Sequence, residues 1–161
     1  MPSTVRRALL AFVMLLGWSP AARADLTVFA GLQNAPVLRP ATGISLGFGL
    51  LLVGWEVEIA RVSERLEDRA PSVSTGTASV YVQNPIPISG VQFYALAGAG
   101  LYRERLDVIS QQTDVHIALG GGAKIGLAGP LKLRLDYRFF KLRDARSENT
   151  QRLYAGLALA F

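Results

Sequence analysis

Residues 153–161 read LYAGLALAF, and their side chains alternate in size from one residue to the next. The larger apolar set comprises Leu153, Ala155, Leu157, Leu159 and Phe161, and the smaller set comprises Tyr154, Gly156, Ala158 and Ala160. Successive side chains of a strand point to opposite faces, so the stretch predicts a strand with one large apolar face. The last residues of a water-soluble domain rarely form such a row, because termini usually fray into water.

The beginning of the chain indicates export. Arg6 and Arg7 precede the nine-residue apolar run ALLAFVMLL at 8–16, and Ala-Arg-Ala follows at 22–24. A basic region, a short apolar region and an A-x-A site are typical of a secretory signal peptide. The alternative, a retained membrane anchor, requires about 20 apolar residues, which this run does not supply. We therefore expect a signal peptide at 1–24 that is cleaved after Ala24, and one mature domain at 25–161.

The composition excludes several classes of function. The chain has 17 basic and 12 acidic residues, and three of the arginines fall in the predicted signal peptide, so the mature domain is nearly balanced in charge. No run of five or more Lys or Arg residues occurs, and we expect no nucleic-acid partner. There is no cysteine, which excludes disulfides and thiolate metal sites. We predict no metal site and no cofactor.

The period of two extends through nearly the whole mature domain and predicts eight strands. They are predicted at 26–33, 44–52, 55–60, 77–83, 93–102, 114–125, 131–140 and 153–161. The links between them alternate: the first, third, fifth and seventh are longer and polar. The second, fourth and sixth are tight, with turns predicted at Val53-Gly54, in NPIPISG at 84–90, and at Ala-Gly-Pro, 128–130.

An even strand count with alternating short and long links is typical of outer-membrane barrels. A strand in lipid has no water to satisfy an open edge, so the sheet must close on itself. We predict an all-β fold, a closed eight-stranded antiparallel up-and-down transmembrane β-barrel in which 153–161 pairs with 26–33. A soluble β-sandwich is the alternative explanation of the alternation.

Two further features favour the barrel over the sandwich. The apolar faces carry aromatic residues near strand ends, as the girdles of membrane barrels do. These residues are Trp55, Phe93, Tyr137, Phe139 and Phe161. The opposite faces mix glycine, alanine and charge, which suits the narrow interior that eight strands enclose.

These features together resemble the small bacterial outer-membrane β-barrels, the family that includes the OmpA transmembrane domain and OmpX-type proteins. The resemblance implies an outer-membrane location, contact with membrane lipid and lipopolysaccharide, and a monomer. It also implies that the barrel-assembly machinery recognises Tyr154, Leu157, Leu159 and Phe161. In contrast to OmpA, no periplasmic domain is expected after the barrel, so peptidoglycan anchoring is not implied. The outer loops are shorter than those of OmpX-type proteins, which weakens an adhesion role.

The predicted interior is rich in charge. It carries Glu56, Glu58, Asp136, Lys124, Lys132, Arg134, Arg138 and Arg152. Unpaired charge is costly in such an interior, so we expect a paired network. Our hypothesis is that the three carboxylates pair with Arg134 and Arg138 and plug the lumen. The alternative is that these charges only fill and hydrate a structural interior.

Three catalytic patterns have stronger structural explanations. Residues 43–47 match G-x-S-x-G, but Ser45 lies in an alternating strand and not at the strand–turn–helix junction that such a nucleophile needs. Residues 120–124, GGGAK, lack the Ser or Thr and the helix of a phosphate loop. His116 is the only histidine; the enzyme alternative is a barrel similar to the outer-membrane lipid A deacylases, whose histidine and serine face lipid. His116 falls on the predicted lumen face, and Ala118 follows it at the next position on that face.

Charged residues also cluster in two of the predicted outer links. They are Arg65, Glu67, Asp68, Arg69, Arg103, Glu104 and Arg105. We interpret them as a solvated rim whose arginines are able to contact lipopolysaccharide phosphates. The sequence thus predicts a non-enzymatic outer-membrane barrel with a structural or narrow gated passage role. Lipid A modification and ligand or lipopolysaccharide binding by outer loops are the alternatives.

Overall fold

The computed structural model describes residues 22–34, 37–64, 70–106, 110–142 and 149–161. Eight strands account for nearly all of these residues. They are β1 (Ala22–Asn34), β2 (Leu38–Leu50), β3 (Val53–Val62), β4 (Ser72–Gln83), β5 (Val91–Leu106), β6 (Ser110–Ala128), β7 (Leu131–Leu142) and β8 (Asn149–Ala160). Within the described ranges, no helix has the length and apolar character needed to cross a membrane. The signal peptide and its cleavage site stay predictions: residues 1–21 lie outside the described part of the chain, and residues 22–24 of the predicted A-x-A site form the first residues of β1.

Each strand pairs in antiparallel fashion with the next, and β8 returns to β1, so the sheet forms a closed barrel. The closing ladder runs from Asp25 opposite Ala160 to Asn34 opposite Gln151. Ala24 and Phe161 extend it by exchanging two backbone hydrogen bonds of 2.9 Å. The predicted all-β closed barrel is confirmed, and the sandwich is excluded because neither terminal strand keeps a free edge.

The two faces of the sheet differ as the alternation predicts. Large apolar side chains point outward, with Ile59 61% exposed and Leu153 60% exposed. Near the short turns, Phe48 and Trp55 stack on this outer surface with their ring centroids 4.6 Å apart. Outward apolar side chains on every side of a closed sheet require an apolar solvent, which the hydrocarbon of a membrane supplies.

The first predicted long link is shorter than expected. We predicted a loop over 34–41, whereas β1 continues to Asn34 and β2 begins at Leu38. Pro40 lies beyond Ala41 and Val62, the last residues that β2 and β3 pair. At that height β2 pairs on one side only, and proline is tolerated at such an edge position.

The fifth link is also shorter than expected, since β5 runs to Leu106 and β6 starts at Ser110. Arg103 and Arg105, predicted in a loop, are strand residues that pair with Thr113 and Gln111 of β6. Polar side chains on both faces hide the period of two here, although the backbone ladder continues. The structure thus replaces two predicted loops with hairpin extensions of the barrel.

The turn between β2 and β3 lies at Leu51 and Leu52, not at Val53-Gly54 as predicted. Leu51 adopts a φ of 51°, a left-handed conformation that is uncommon outside glycine. Gly54 is an inward-facing residue of β3, and a Cβ there would lie 2.3 Å from the Tyr81 ring. This glycine therefore makes room for a lumen tyrosine and does not form the turn.

Candidate functional site: the charged lumen

Two strands supply the core of the lumen through every second residue. Glu56 and Glu58 project inward from β3, and Arg134, Asp136 and Arg138 project inward from β7. All five side chains are at most 2% exposed. The same period of two that turns apolar residues to lipid therefore brings these charges together inside.

Among these buried charged residues, Arg134 forms the layer nearest the short turns. Its guanidinium forms an ion pair with Glu56 through Nη1, and Nη2 donates to Glu56 Oε1 at 3.2 Å and to Asp136 Oδ2 at 2.9 Å. Nε donates to the Tyr94 hydroxyl at 2.7 Å, which in turn donates to Asp136. Arg134 is thus held by two carboxylates and a phenol.

Arg138 occupies the middle layer and contacts all three carboxylates. Its Nε lies 2.9 Å from Asp136 Oδ1, its Nη2 2.6 Å from Glu56 Oε1, and its Nη1 2.9 Å from Glu58 Oε2. Nη2 also donates to the Tyr154 hydroxyl at 2.9 Å. This one guanidinium joins β3, β7 and β8 across the barrel.

Arg152 of β8 forms the third layer. Its Nη1 lies 2.6 Å from Glu58 Oε1, and its Nε donates to Gln33 Oε1 at 2.8 Å. Its Nη2 donates to Thr75 Oγ1 at 3.2 Å. Glu58 is the only carboxylate that is paired with Arg152 among the described residues. The sequence hypothesis included Arg152 in the lumen set but did not assign its partner.

We call the six residues of these three layers the ionic network. They are Glu56, Glu58, Asp136, Arg134, Arg138 and Arg152. Three carboxylates meet three guanidiniums, so the cluster is neutral as a whole. Buried charges are tolerated when they are paired, and every charge of this network has an ion-pair partner; Arg138 Nη1 contacts Glu58 Oε2 at 2.9 Å without forming a hydrogen bond.

The two lysines of the predicted lumen set lie outside the ionic network. Lys124 forms an ion pair with Asp25, which the sequence analysis did not assign to the lumen. Lys132 is half-buried near the short turns and has no ion-pair partner among the described residues. Asp25 lies two residues before the inward-facing Thr27, so continuing the period of two from Thr27 to Asp25 predicts that Asp25 also faces the lumen.

An apolar layer covers the network toward the longer links. It is a buried cluster of Ala41, Val62, Val73, Tyr102, Ala118, Phe140 and Leu142, which we call the outer cap. The Arg152 guanidinium lies 4.6 Å from the Phe140 ring centroid, so the cap rests directly on the network. The sequence analysis missed the cap, because its members come from six strands.

The catalytic alternatives lack suitable geometry. Ser45 lies within β2, where its hydroxyl donates to Glu56 and accepts from Arg134, both at 3.3 Å. His116 is buried in the lumen with Nε2 2.9 Å from Thr77 Oγ1. Its Nδ1 has no hydrogen-bond partner among the described residues, so it lacks the orienting group of a catalytic histidine. In the same part of the chain, no group of three or more His, Cys, Asp or Glu is placed to hold a metal ion.

The predicted rim is only partly described. Residues 65–69 lie outside the described ranges, so the predictions for Arg65, Glu67, Asp68 and Arg69 are not tested. Arg103 is exposed and its Nε donates to Thr113 Oγ1 at 3.3 Å; Arg105 is also exposed, and Glu104 is half-buried. On β8, Tyr154 points into the lumen while Leu157, Leu159 and Phe161 point outward. Their recognition by assembly machinery stays a prediction.

Comparison with solved structures identifies the fold. Neisserial surface protein A matches with a TM-score of 0.72 at 17% identity, over 88% of this chain and 97% of that one. The chain has the fold of the small outer-membrane β-barrels. The N-terminal β-barrel domain of Pseudomonas aeruginosa OprF gives a TM-score of 0.66 at 15% identity, over 86% and 97% of the two chains. A major outer membrane protein from Thermus thermophilus gives 0.64 at 11% identity, over 88% and 100%.

At these identities the likeness shows the fold alone, and at that level the predicted resemblance to OmpA-type and OmpX-type barrels is confirmed. No protein-family model matches the chain, and no curated protein matches its sequence. The function therefore has to be argued from the lumen and the surface.

Proposed function

We propose that this protein is an exported, monomeric outer-membrane barrel whose lumen is closed, and that it has a structural role in the membrane. The ionic network carries the proposal. Its Arg134, Arg138 and Arg152 side chains are at most 1% exposed, and together they bridge β3, β7 and β8. A water-filled pore would hydrate these guanidiniums, whereas each is enclosed by carboxylate and hydroxyl partners, with the Gln33 amide as a further partner of Arg152.

The outer cap supports the same function independently. Val62, Phe140 and Leu142 are at most 4% exposed and lie between the network and the longer links. Arg39 holds β2 against the segment between β3 and β4 by donating from Nη1 to the backbone oxygens of Ser63, at 3.0 Å, and Pro71, at 2.6 Å. A solute would have to displace both an ionic layer and an apolar layer. Apolar constrictions of this kind also close channels by excluding water.

Conductance measurements test the closed lumen. Folded protein, verified by faster migration of the unboiled sample on a gel, is inserted into planar lipid bilayers. We expect no steady conductance from the wild type, nor from Phe140→Ala, which leaves the ionic network intact. A steady wild-type current would refute the closed lumen. Brief resolved openings would instead support the narrow gated passage that the sequence also allowed.

A second candidate function, contact with lipopolysaccharide, is favoured by the outer end of the barrel surface. Near the longer links, the outward face of the barrel carries four basic residues: Arg61, Arg103, Arg105 and Lys141. No described strand carries an acidic residue on its outward face. Arg61 and Arg103 lie opposite Ser74 from its two sides, about 10 Å apart at the usual strand spacing. Arginine binds phosphate through bidentate hydrogen bonds.

This candidate is tested with lipid A as the probe. We expect the double variant Arg61→Gln/Arg103→Gln to bind bis-phosphorylated lipid A in detergent more weakly than the wild type does. Dephosphorylated lipid A serves as the matched control, and its binding should be the same for both proteins. Equal binding of phosphorylated lipid A by the wild type and the variant would remove this function.

We infer that the barrel is not a lipid A-modifying enzyme, because His116 and Ser45 both face the lumen and not the lipid. Purified protein incubated with lipid A is expected to release no acyl chain. Release that is lost on His116→Ala would overturn this inference.

A further inference from the structure

A cavity of about 370 Å³ occupies the lumen at the end of the short turns. Its floor is formed by Lys124 and its partner Asp25, and its wall includes Tyr81, Lys132 and Arg23. We call this cavity the vestibule. It lies on the opposite side of the ionic network from the outer cap, so it is entered along the barrel axis from the side of the short turns.

The vestibule has an excess of positive charge. Lys124, Lys132 and Arg23 line it, whereas Asp25 is the one acidic residue among the lining residues that the structure describes. Cleavage after Ala24 would remove Arg23 but leave the α-ammonium group of Asp25 at the same strand end, so the excess of two charges persists. Two of the three lysines of the whole chain therefore face this one cavity.

The two lysines are positioned to act together. Lys124 pairs with Arg134 across β6 and β7, and Lys132 lies two residues before Arg134, which makes the two lysines diagonal neighbours about 7–8 Å apart along the sheet. Asp25 engages the Lys124 ammonium, which has three donors in all. The ammonium also lies 5.3 Å from the Tyr81 ring centroid, which keeps it at the cavity floor. Lys132 contributes the second, unneutralised charge.

The opposite rim is held in place by hydrogen bonds. Asn84 Oδ1 accepts from the Phe93 backbone N–H at 2.5 Å, and Asn84 Nδ2 donates to the Ile86 oxygen at 2.6 Å. Gln92 Nε2 donates to the backbone oxygen of Asn84 at 3.2 Å. Gln92 also lines the vestibule, together with Pro85 and Pro87 of the same turn. The cavity thus has a rim fixed by side-chain contacts, a charged floor and a volume suited to a small molecule.

We propose that the vestibule binds a compact phosphate-type anion with at least two negative charges from the aqueous phase, with Lys124 and Lys132 as its charge partners. The excess of two positive charges favours such an anion, and lysine ammonium groups are common point-charge partners of phosphate. The axial entrance favours a soluble phosphate compound over a membrane lipid headgroup. This site is separate from the closed part of the lumen, since binding requires no passage through the ionic network.

Pyrophosphate is the probe, titrated by calorimetry into folded protein in zwitterionic detergent at low chloride concentration. We expect saturable one-to-one binding that is about tenfold weaker in Lys132→Gln, as the loss of one charge-assisted hydrogen bond predicts. Lys141→Gln is the matched control, because Lys141 lies on the same strand, β7, but at the outer end. It should bind pyrophosphate as the wild type does.

Amine-reactive footprinting gives a second readout that does not depend on a variant. Pyrophosphate should protect Lys132 from methylation and leave Lys141 fully reactive, whereas Lys124, which is only 4% exposed and paired with Asp25, reacts little in either state. The absence of saturable binding, an equal loss of affinity in Lys132→Gln and Lys141→Gln, or equal protection of Lys132 and Lys141 would each overturn the proposal. Protection by phosphatidic acid in the detergent, without protection by pyrophosphate, would show a lipid headgroup site and contradict the soluble ligand.

Discussion

Glu58 and Arg152 form the outermost ion pair of the ionic network, and substitutions of these two residues should lower the free energy of unfolding by different amounts. Among the described residues, replacing Glu58 with Gln removes the only charged partner of Arg152, at 2.6 Å, and one of three carboxylates around Arg138. Replacing Arg152 with Met removes the same pair but leaves Glu58 bound to Arg138 at 2.9 Å. The first change isolates a buried charge, and the second does not.

The magnitudes follow from this difference. Breaking a buried pair so that one charge is uncompensated costs about 3–5 kcal/mol, and we expect Glu58→Gln to destabilise the barrel by that amount. Arg152→Met should cost about 2 kcal/mol, because Glu58 keeps one guanidinium. The double variant leaves Glu56 and Asp136 with Arg134 and Arg138, a balanced set of four. Adding Glu58→Gln to Arg152→Met should therefore cost only about 1 kcal/mol, a coupling of about 2–4 kcal/mol.

Urea unfolding of the barrel in lipid vesicles measures these free energies. Trp55 lies on the lipid-facing surface, 52% exposed in the isolated protein, so its emission reports transfer from lipid to water. Gel mobility of unboiled samples confirms that each variant starts folded. One contrary result is that the effects of the two single substitutions simply add up to that of the double variant; another is that Glu58→Gln destabilises the barrel no more than Arg152→Met does. Either result would refute the explanation of the closed lumen by paired buried charges.

Three further predictions concern other parts of the barrel. Gly100→Ala should destabilise it by about 1–3 kcal/mol in the same urea assay, because a Cβ there would lie 1.9 Å from the Gly76 oxygen. The control Gly76→Ala meets open space and should change stability by less than about 0.5 kcal/mol. On intact cells, a membrane-impermeant amine reagent should label Lys141 but not Lys132 if the short turns face the periplasm, and the reverse pattern would invert the orientation. Deletion of Phe161 should lower the amount of assembled barrel in cells more than it lowers refolding yield in vitro, and equal effects would contradict an assembly signal.

The sequence alone predicted the strand number, the inward and outward faces and the closure of the sheet. Leu153, Leu157 and Leu159 alternate with Tyr154 and the small residues between them, and this local period is a property of the extended backbone itself. Because the period of two is recognisable in each strand separately, the prediction did not require knowledge of which strands pair with one another. The same period placed Glu58 and Arg138 on the inner face.

The sequence was less informative where polar residues occupy both faces of a strand. At the outer ends of β5 and β6, Arg103 and Thr113 pair in strands that extend the predicted ones, with polar residues on both sides. Gly54 resembled a turn residue because glycine is common in turns, but the space it leaves is filled by Tyr81, which lies 27 positions later in the chain.

Only the tertiary structure decided which charges meet. The partners Asp25 and Lys124 are 99 residues apart, and Arg152 and Glu58 are 94 apart, so no local pattern connects them. Closing eight strands into one barrel sets the depth and angular position of each inward side chain, and those two coordinates determine the pairs. The period of two specified the face of every residue, whereas the register between strands specified its neighbours across the lumen.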